Sequence, residues 1–250
     1  MSEPRLPNPA GDEPNQPQRV SLSVRGEARQ MVAPDSVVLS GQLTAAENSK
    51  PAAVRASANT LEALTAELAA LGGEPLSAES ARHVLTWSAH SASTQVERAH
   101  DPKSGCHEAT GRLLASVSLE VTLRDFALLQ HVEGVLVGHE DFSLARVSWY
   151  VDDDNPAWPV VRATAIEAAV RKARDYAAAL GGSVTSIDHV ADVGLLAGGD
   201  APRLPRQTSG WAAGASGPRV GAEAPSLGPV PQELTAIVEA RFHATHPPLT

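Results

Sequence analysis

The segment Arg112–Arg124 alternates without a break, and that alternation limits the fold more than any other feature. Leu113, Ala115, Val117, Leu119, Val121 and Leu123 fall on one side; Ser116, Ser118, Glu120, Thr122 and Arg124 fall on the other. A period of two, with one apolar and one polar face, describes a strand buried on one side only. Such strands build antiparallel sheets. Strands of a doubly wound parallel sheet are buried on both faces and read as continuous apolar runs. The same style marks Val20–Arg25, with Val20, Leu22 and Val24 inward, and Ser36–Ala46, with Val37, Leu39 and Leu43 inward. Phe142–Val151 and Glu233–Ala244 are further strands, the last burying Leu234, Ala236, Val238, Ala240 and Phe242.

Three segments carry a helical period instead. Pro51–Leu71 has Ser49 as its cap, Pro51 in its first turn and Gly72 at its left-handed stop, with Leu61, Leu64, Leu68 and Leu71 as the apolar stripe. Phe126–Val137 is capped by Asp125 and closed by Gly138. Pro159–Leu180 has the stripe Val170, Ala173, Ala177 and Leu180 and is closed by Gly181. The first and third helices both end in Ala-Leu-Gly-Gly, at Ala70–Gly73 and Ala179–Gly182, and each is followed by a further strand. That match suggests a duplicated strand–helix–strand unit, although any Ala-rich helix with a Gly-Gly stop looks similar. One-sided sheets and striped helices together predict an α+β fold, mainly antiparallel, with Ala-rich helices packed on one face.

Breakers set the boundaries. Residues 1–19 contain Pro4, Pro7, Pro9, Pro14 and Pro17 and little apolar surface, which predicts a disordered tail. From about 197 to 231 seven glycines alternate with six prolines, a stretch too long for an ordinary loop. It reads as a flexible insertion or interaction arm, with Leu204, Trp211 and Val220 as its anchors. The compact domain therefore runs from 20 to 244, followed by a short tail over 245–250. No run approaches the ~20 apolar residues of a membrane span, and no secretory leader is visible, so the expected location is cytoplasmic. A net charge of −9 argues against nucleic acid as a partner.

The chain carries little recognisable chemistry. His83, His90, His100 and His107 lie near Cys106, the single cysteine, in or beside a polar stretch. Their spacings are too wide for a zinc motif, and the remaining histidines, His131, His139, His189, His243 and His246, form no cluster. Asp152-Asp153-Asp154-Asn155 lacks the spaced oxygens and glycine of a calcium loop; it reads as an acidic start to the third helix. No Gly-x-Ser-x-Gly elbow surrounds any serine, and the Gly-Gly pairs follow helices where a phosphate loop precedes one. Trp87, Trp149, Trp158 and Trp211 form no stacking series with basic residues. No catalytic, cofactor-binding or metal-binding residue is assigned.

Several segments resemble the SIMPL, or YggE-like, family. Val24-Arg25-Gly26-Glu27-Ala28, then Ala33-Pro34-Asp35 and an apolar strand, is similar to the family's opening. So are the Ala-rich helix Ala52–Leu71, the run Ala163–Lys172 onward to Tyr176 and Leu180-Gly181, and the closing strand from Val230-Pro231 to Phe242. The order covers Val20–Ala244, with Gln232 standing where the family has glycine. The resemblance implies an α+β fold and self-association and supplies no catalytic set; many members are exported. Basic residues are mostly arginine, with only Lys50, Lys103 and Lys172, as in high-GC bacterial genomes. The leading expectation is a non-enzymatic, self-associating scaffold or binding protein linked to envelope or stress physiology. The alternatives are an enzyme or small-ligand binder with a site between subunits, and an adaptor binding a protein through 197–231.

Overall fold

A computed structural model describes residues 18–100, 105–195 and 228–247. Residues up to 17, the last three residues and most of the Gly/Pro-rich segment, including Leu204, Trp211 and Val220, lie outside the described residues. The fold is α+β, as the alternation predicts. In chain order the elements are β1 (Gln18–Val32), β2 (Ser36–Glu47), α1 (Lys50–Ala70), β3 (Glu74–Pro75), β4 (Leu85–His100) and β5 (His107–Leu123). A 3-10 turn at Phe126–Leu128 leads into α2 (Leu129–Gly138), followed by β6 (Phe142–Tyr150), α3 (Ala157–Ala179), β7 (Ser183–Asp192) and β8 (Gln232–His246). The chain divides into two compact units.

The first unit is built on a five-stranded sheet ordered β3-β4-β5-β2-β6. All its pairings are antiparallel except the short β3–β4 contact. Helix α1 lies over β2 and β5, and α2 beside it over β6. The core forms between: Val37, Leu39 and Leu43 from β2, Leu119, Val121 and Leu123 from β5, Leu64 and Leu68 from α1, Val132 and Leu136 from α2. Alternation places these strand residues on one face. Each fully buried Leu or Val contributes ~1.5–3 kcal/mol. The second helix begins as a 3-10 turn, because the Asp125 carboxylate accepts from the Ala127 amide at 3.0 Å and tightens the start.

The second unit comprises residues 18–30, 156–195 and 233–247, with sheet order β1-β8-β7 and α3 as its helix. Its core is almost all small side chains. Helix α3 buries Val161, Ala165, Ala169, Ala173 and Ala177, every fourth residue. The expected stripe over Val170 and Leu180 is therefore turned: both are only half-buried. Gly26 on β1 explains the shift. A Cβ there would meet the Ala165 carbonyl oxygen at 2.0 Å and the Ala169 Cβ at 2.9 Å. Alanine against glycine lets the helix backbone lie close to the strand, where a larger side chain would hold it away.

The two Ala-Leu-Gly-Gly stops have one geometry. Gly72 and Gly181 adopt φ of +85° and +71°. The amides of Gly72 and Gly73 donate to Ala69 and Leu68, and those of Gly181 and Gly182 donate to Ala178 and Ala177, all at 2.9 Å. This is the six-to-one, five-to-two pattern of a Schellman stop. The likeness ends there, since two-residue β3 follows α1 and ten-residue β7 follows α3.

Replacing Gly26 by Val should destabilise the protein by ~1–3 kcal/mol through overpacking against Ala165. Urea unfolding measures it, and Gly228→Val, where a Cβ meets open space, is the control.

Candidate functional site

The most connected polar cluster lies where the turn between β1 and β2 meets the loop after β6. Pro34 is buried and turns the chain. The Asp35 carboxylate then accepts from the Asp152 amide at 2.8 Å and from Asn155 Nδ2 at 2.8 and 3.0 Å. The Asp35 amide donates to the Tyr150 carbonyl at 2.8 Å. Arg124 extends the cluster: Nη1 lies 2.5 Å from Asp152 Oδ2 and Nη2 lies 3.4 Å from Oδ1, while its buried Nε has no partner. Further out, Arg82 pairs with Asp154 at 2.8 Å. That hydrogen bond, aided by the guanidinium charge, holds the Asp154 carboxyl below the ordinary carboxylate range.

The run directly precedes α3, as expected, but Asp152 and Asp154 are engaged with arginines instead of serving as the cap of the helix. The N-cap of α3 is Pro156, with no side-chain cap and no acidic residue in the first turn. The cluster holds a turn to a loop; its carboxylates already face donors of this chain.

A second feature is the face of the five-stranded sheet opposite the helices. Register aligns Ser40 with Glu120 and Ser88, Gln42 with Ser118 and His90, and Thr44 with Ser116 and Ser93. The hydroxyls bond laterally, Ser91 to Ser118 at 2.9 Å and Thr44 to Ser116 at 3.4 Å. The surface is paved with short polar groups and has little charge.

The third feature is a two-stranded ribbon. Strand β2 ends at Glu47, opposite Leu113, and β4 pairs with Leu113 through Val96. Beyond that row only β4 and β5 continue, as Glu97–His100 and His107–Arg112. Residues 107–112 are all exposed, and so is Val96. A bulge marks its base, where Glu97 stands against three residues of β5 and Gly111 takes φ of +84°. Thr110 Oγ1 donates to Glu97 Oε2 at 2.6 Å, and Arg98 donates to the His107 carbonyl at 3.3 Å.

A family model matches residues 22–242, and its description is SIMPL, a protein of unknown function (DUF541). The chain belongs to the SIMPL family. No curated protein matches it. The family's opening Pro-Asp now has a physical account in this SIMPL chain, since Asp35 is the acceptor at the centre of the polar cluster. Its partners lie 117 and 120 residues away in sequence, so no local signal announces them.

The histidines fall differently from their expected place in a polar stretch. His90 and His100 lie in β4 and His107 in β5; His83 sits just before β4, 3.8 Å from Glu74. His139 approaches Glu67 at 3.3 Å and His243 approaches Asp188 at 3.5 Å. His100 and His107 are brought together, their ring centroids 5.4 Å apart. Cys106 is exposed beside them. Among the described residues no group of three or more His, Cys, Asp or Glu is placed to hold a metal. Trp149 meets Phe126 edge-on, Arg162 lies over Trp158, and Trp87 packs on the core. Among the described residues no helix is long and apolar enough to cross a membrane.

Asp35→Ala should cost ~1–3 kcal/mol, because the Asp152 amide and the Asn155 amide nitrogen lose their acceptor; chemical denaturation checks this. Arg82→Gln should return the Asp154 carboxyl to the ordinary range in an NMR-monitored titration. Because Arg82 depresses that carboxyl, the pair stabilises the fold above the ordinary aspartate range and ceases to as pH falls through the depressed value. Both groups are exposed, so the change in stability at neutral pH should be small.

Proposed function

We propose that this SIMPL chain is a non-enzymatic scaffold that self-associates, with the β4–β5 ribbon as the contact between copies. The ribbon carries the reading. An isolated two-stranded ribbon is marginal in water, and a third strand or a covering surface is what ordinarily supports one. This one extends ~15 Å past the end of β2 with no third strand among the described residues.

The chemistry of the ribbon suits a second copy. Arg98 and Arg112 stand with Glu97 and Glu108 on its exposed surface, and Val96 is half exposed among them. Two copies therefore offer each other both signs of charge and a small apolar contact. Among the described residues the outer edge of β4 beyond Trp87 has no strand beside it, since β3 pairs only with Thr86 and Trp87. Other edges are guarded. β7 carries two bulges, and Lys172 donates to the Arg25 carbonyl of β1 at 2.7 Å.

The test trims the ribbon. Joining Val96 to Leu113 through an Asn-Gly turn removes it and keeps the five-stranded sheet. Light scattering should give an oligomer for the intact chain and a folded monomer for the trimmed one. A monomeric intact chain, or an unchanged oligomer after trimming, would refute the assignment.

A further inference from the structure

His100 and His107 are direct cross-strand partners where the ribbon meets its connection, with ring centroids 5.4 Å apart and ring planes 56° apart. Directly opposed residues of an antiparallel pair project to the same face. Both residues are exposed, so a cation and its waters can reach them.

The spacing has a specific meaning. A zinc ion ~2.1 Å from an imidazole nitrogen lies ~3.2 Å from the centroid of that ring; two such rings at a tetrahedral angle have centroids ~5.2 Å apart. The observed separation differs from that value by only a few tenths of an ångström. That separation leaves room for one ion between the two rings, with one nitrogen of each as a ligand. Oxygen-seeking cations such as magnesium and calcium gain little from two imidazoles, whereas zinc-class cations favour them.

We propose that His100 and His107 form a two-imidazole chelate for a divalent cation of the zinc class, with water at the remaining positions. With two protein ligands the site is exchangeable, unlike a closed four-ligand structural centre. Binding ties β4 to β5 at the far end of the ribbon and stabilises the paired strands over the frayed ones. The chelate forms within one chain and stands whether or not the chain self-associates.

The test is a zinc chloride titration of the full chain, followed by the imidazole signals in carbon–proton NMR. The signals of His100 and His107 should shift together and saturate at one zinc per chain. His107→Gln should weaken this binding about 100-fold, the scale on which a second linked contact adds affinity. His100→Gln should do the same, while His131→Gln should leave binding unchanged. Circular dichroism confirms that each variant is folded. No saturable response of these two imidazoles overturns the assignment, as does undiminished binding in a folded His107→Gln or His100→Gln protein.

Discussion

A single carboxylate, Asp35, ties the start of β2 to the loop that leaves β6. Strand β2 lies between β5 and β6, so its position sets the register on both sides. The Asp35 oxygens accept from Asp152 and Asn155, and Arg124 holds Asp152 from the end of β5. Three segments far apart in sequence are joined there by charge-assisted hydrogen bonds, the stronger kind. The buried residues Val37, Leu39 and Leu43 follow directly along β2. The polar cluster and the apolar core are therefore consecutive parts of one strand. This gives Pro34 and Asp35 a role in holding the fold.

The two units solve the packing problem with different materials. The five-stranded sheet buries leucine and valine between itself and two helices. The three-stranded sheet buries alanines of α3, with Gly26 admitting the helix backbone. Alanine contributes little burial per residue, so such a core depends on close approach and on many contacts made together. Phe242 is the largest fully buried side chain among the described residues and sits in this alanine-rich unit. The low aromatic content follows from these two designs.

Alternation makes β2, β8 and the part of β5 paired with β2 legible, because each buries one face there, while β6 carries its apolar residues across a bulge opposite Ser40 and Gly41. A strand after α3 is expected from the sequence and is found as β7, although bulges between Val184 and Ser186 and between Ile187 and His189 interrupt its period. β4 is broken in the same way, between His90 and Ala92, where Ser91 takes a positive φ of 55°. The expected stripe of α3 holds at Ala173 and Ala177 but not at Val170 and Leu180, because an alanine-rich helix has almost no contrast between its sides. What decided it was Gly26, which lies in a different element. The polar cluster escaped because Asp35 lies more than a hundred residues from Asp152 and Asn155. The His100–His107 pair escaped because strand register, which brings them opposite, is invisible in linear spacing.

The ribbon is where local structure and function meet. Its strands continue past the support of β2, its surface carries both signs of charge, and its last pair of residues is two imidazoles. A segment so placed is stable in proportion to what it touches. Hydrogen exchange at two protein concentrations measures this directly. If copies meet through the ribbon, the amides of Glu97–His100 and His107–Arg112 should be protected in concentrated protein and lose that protection on dilution, while those of β2 stay unchanged. Ribbon amides that exchange equally fast at both concentrations, in protein that remains oligomeric when concentrated, would contradict the account.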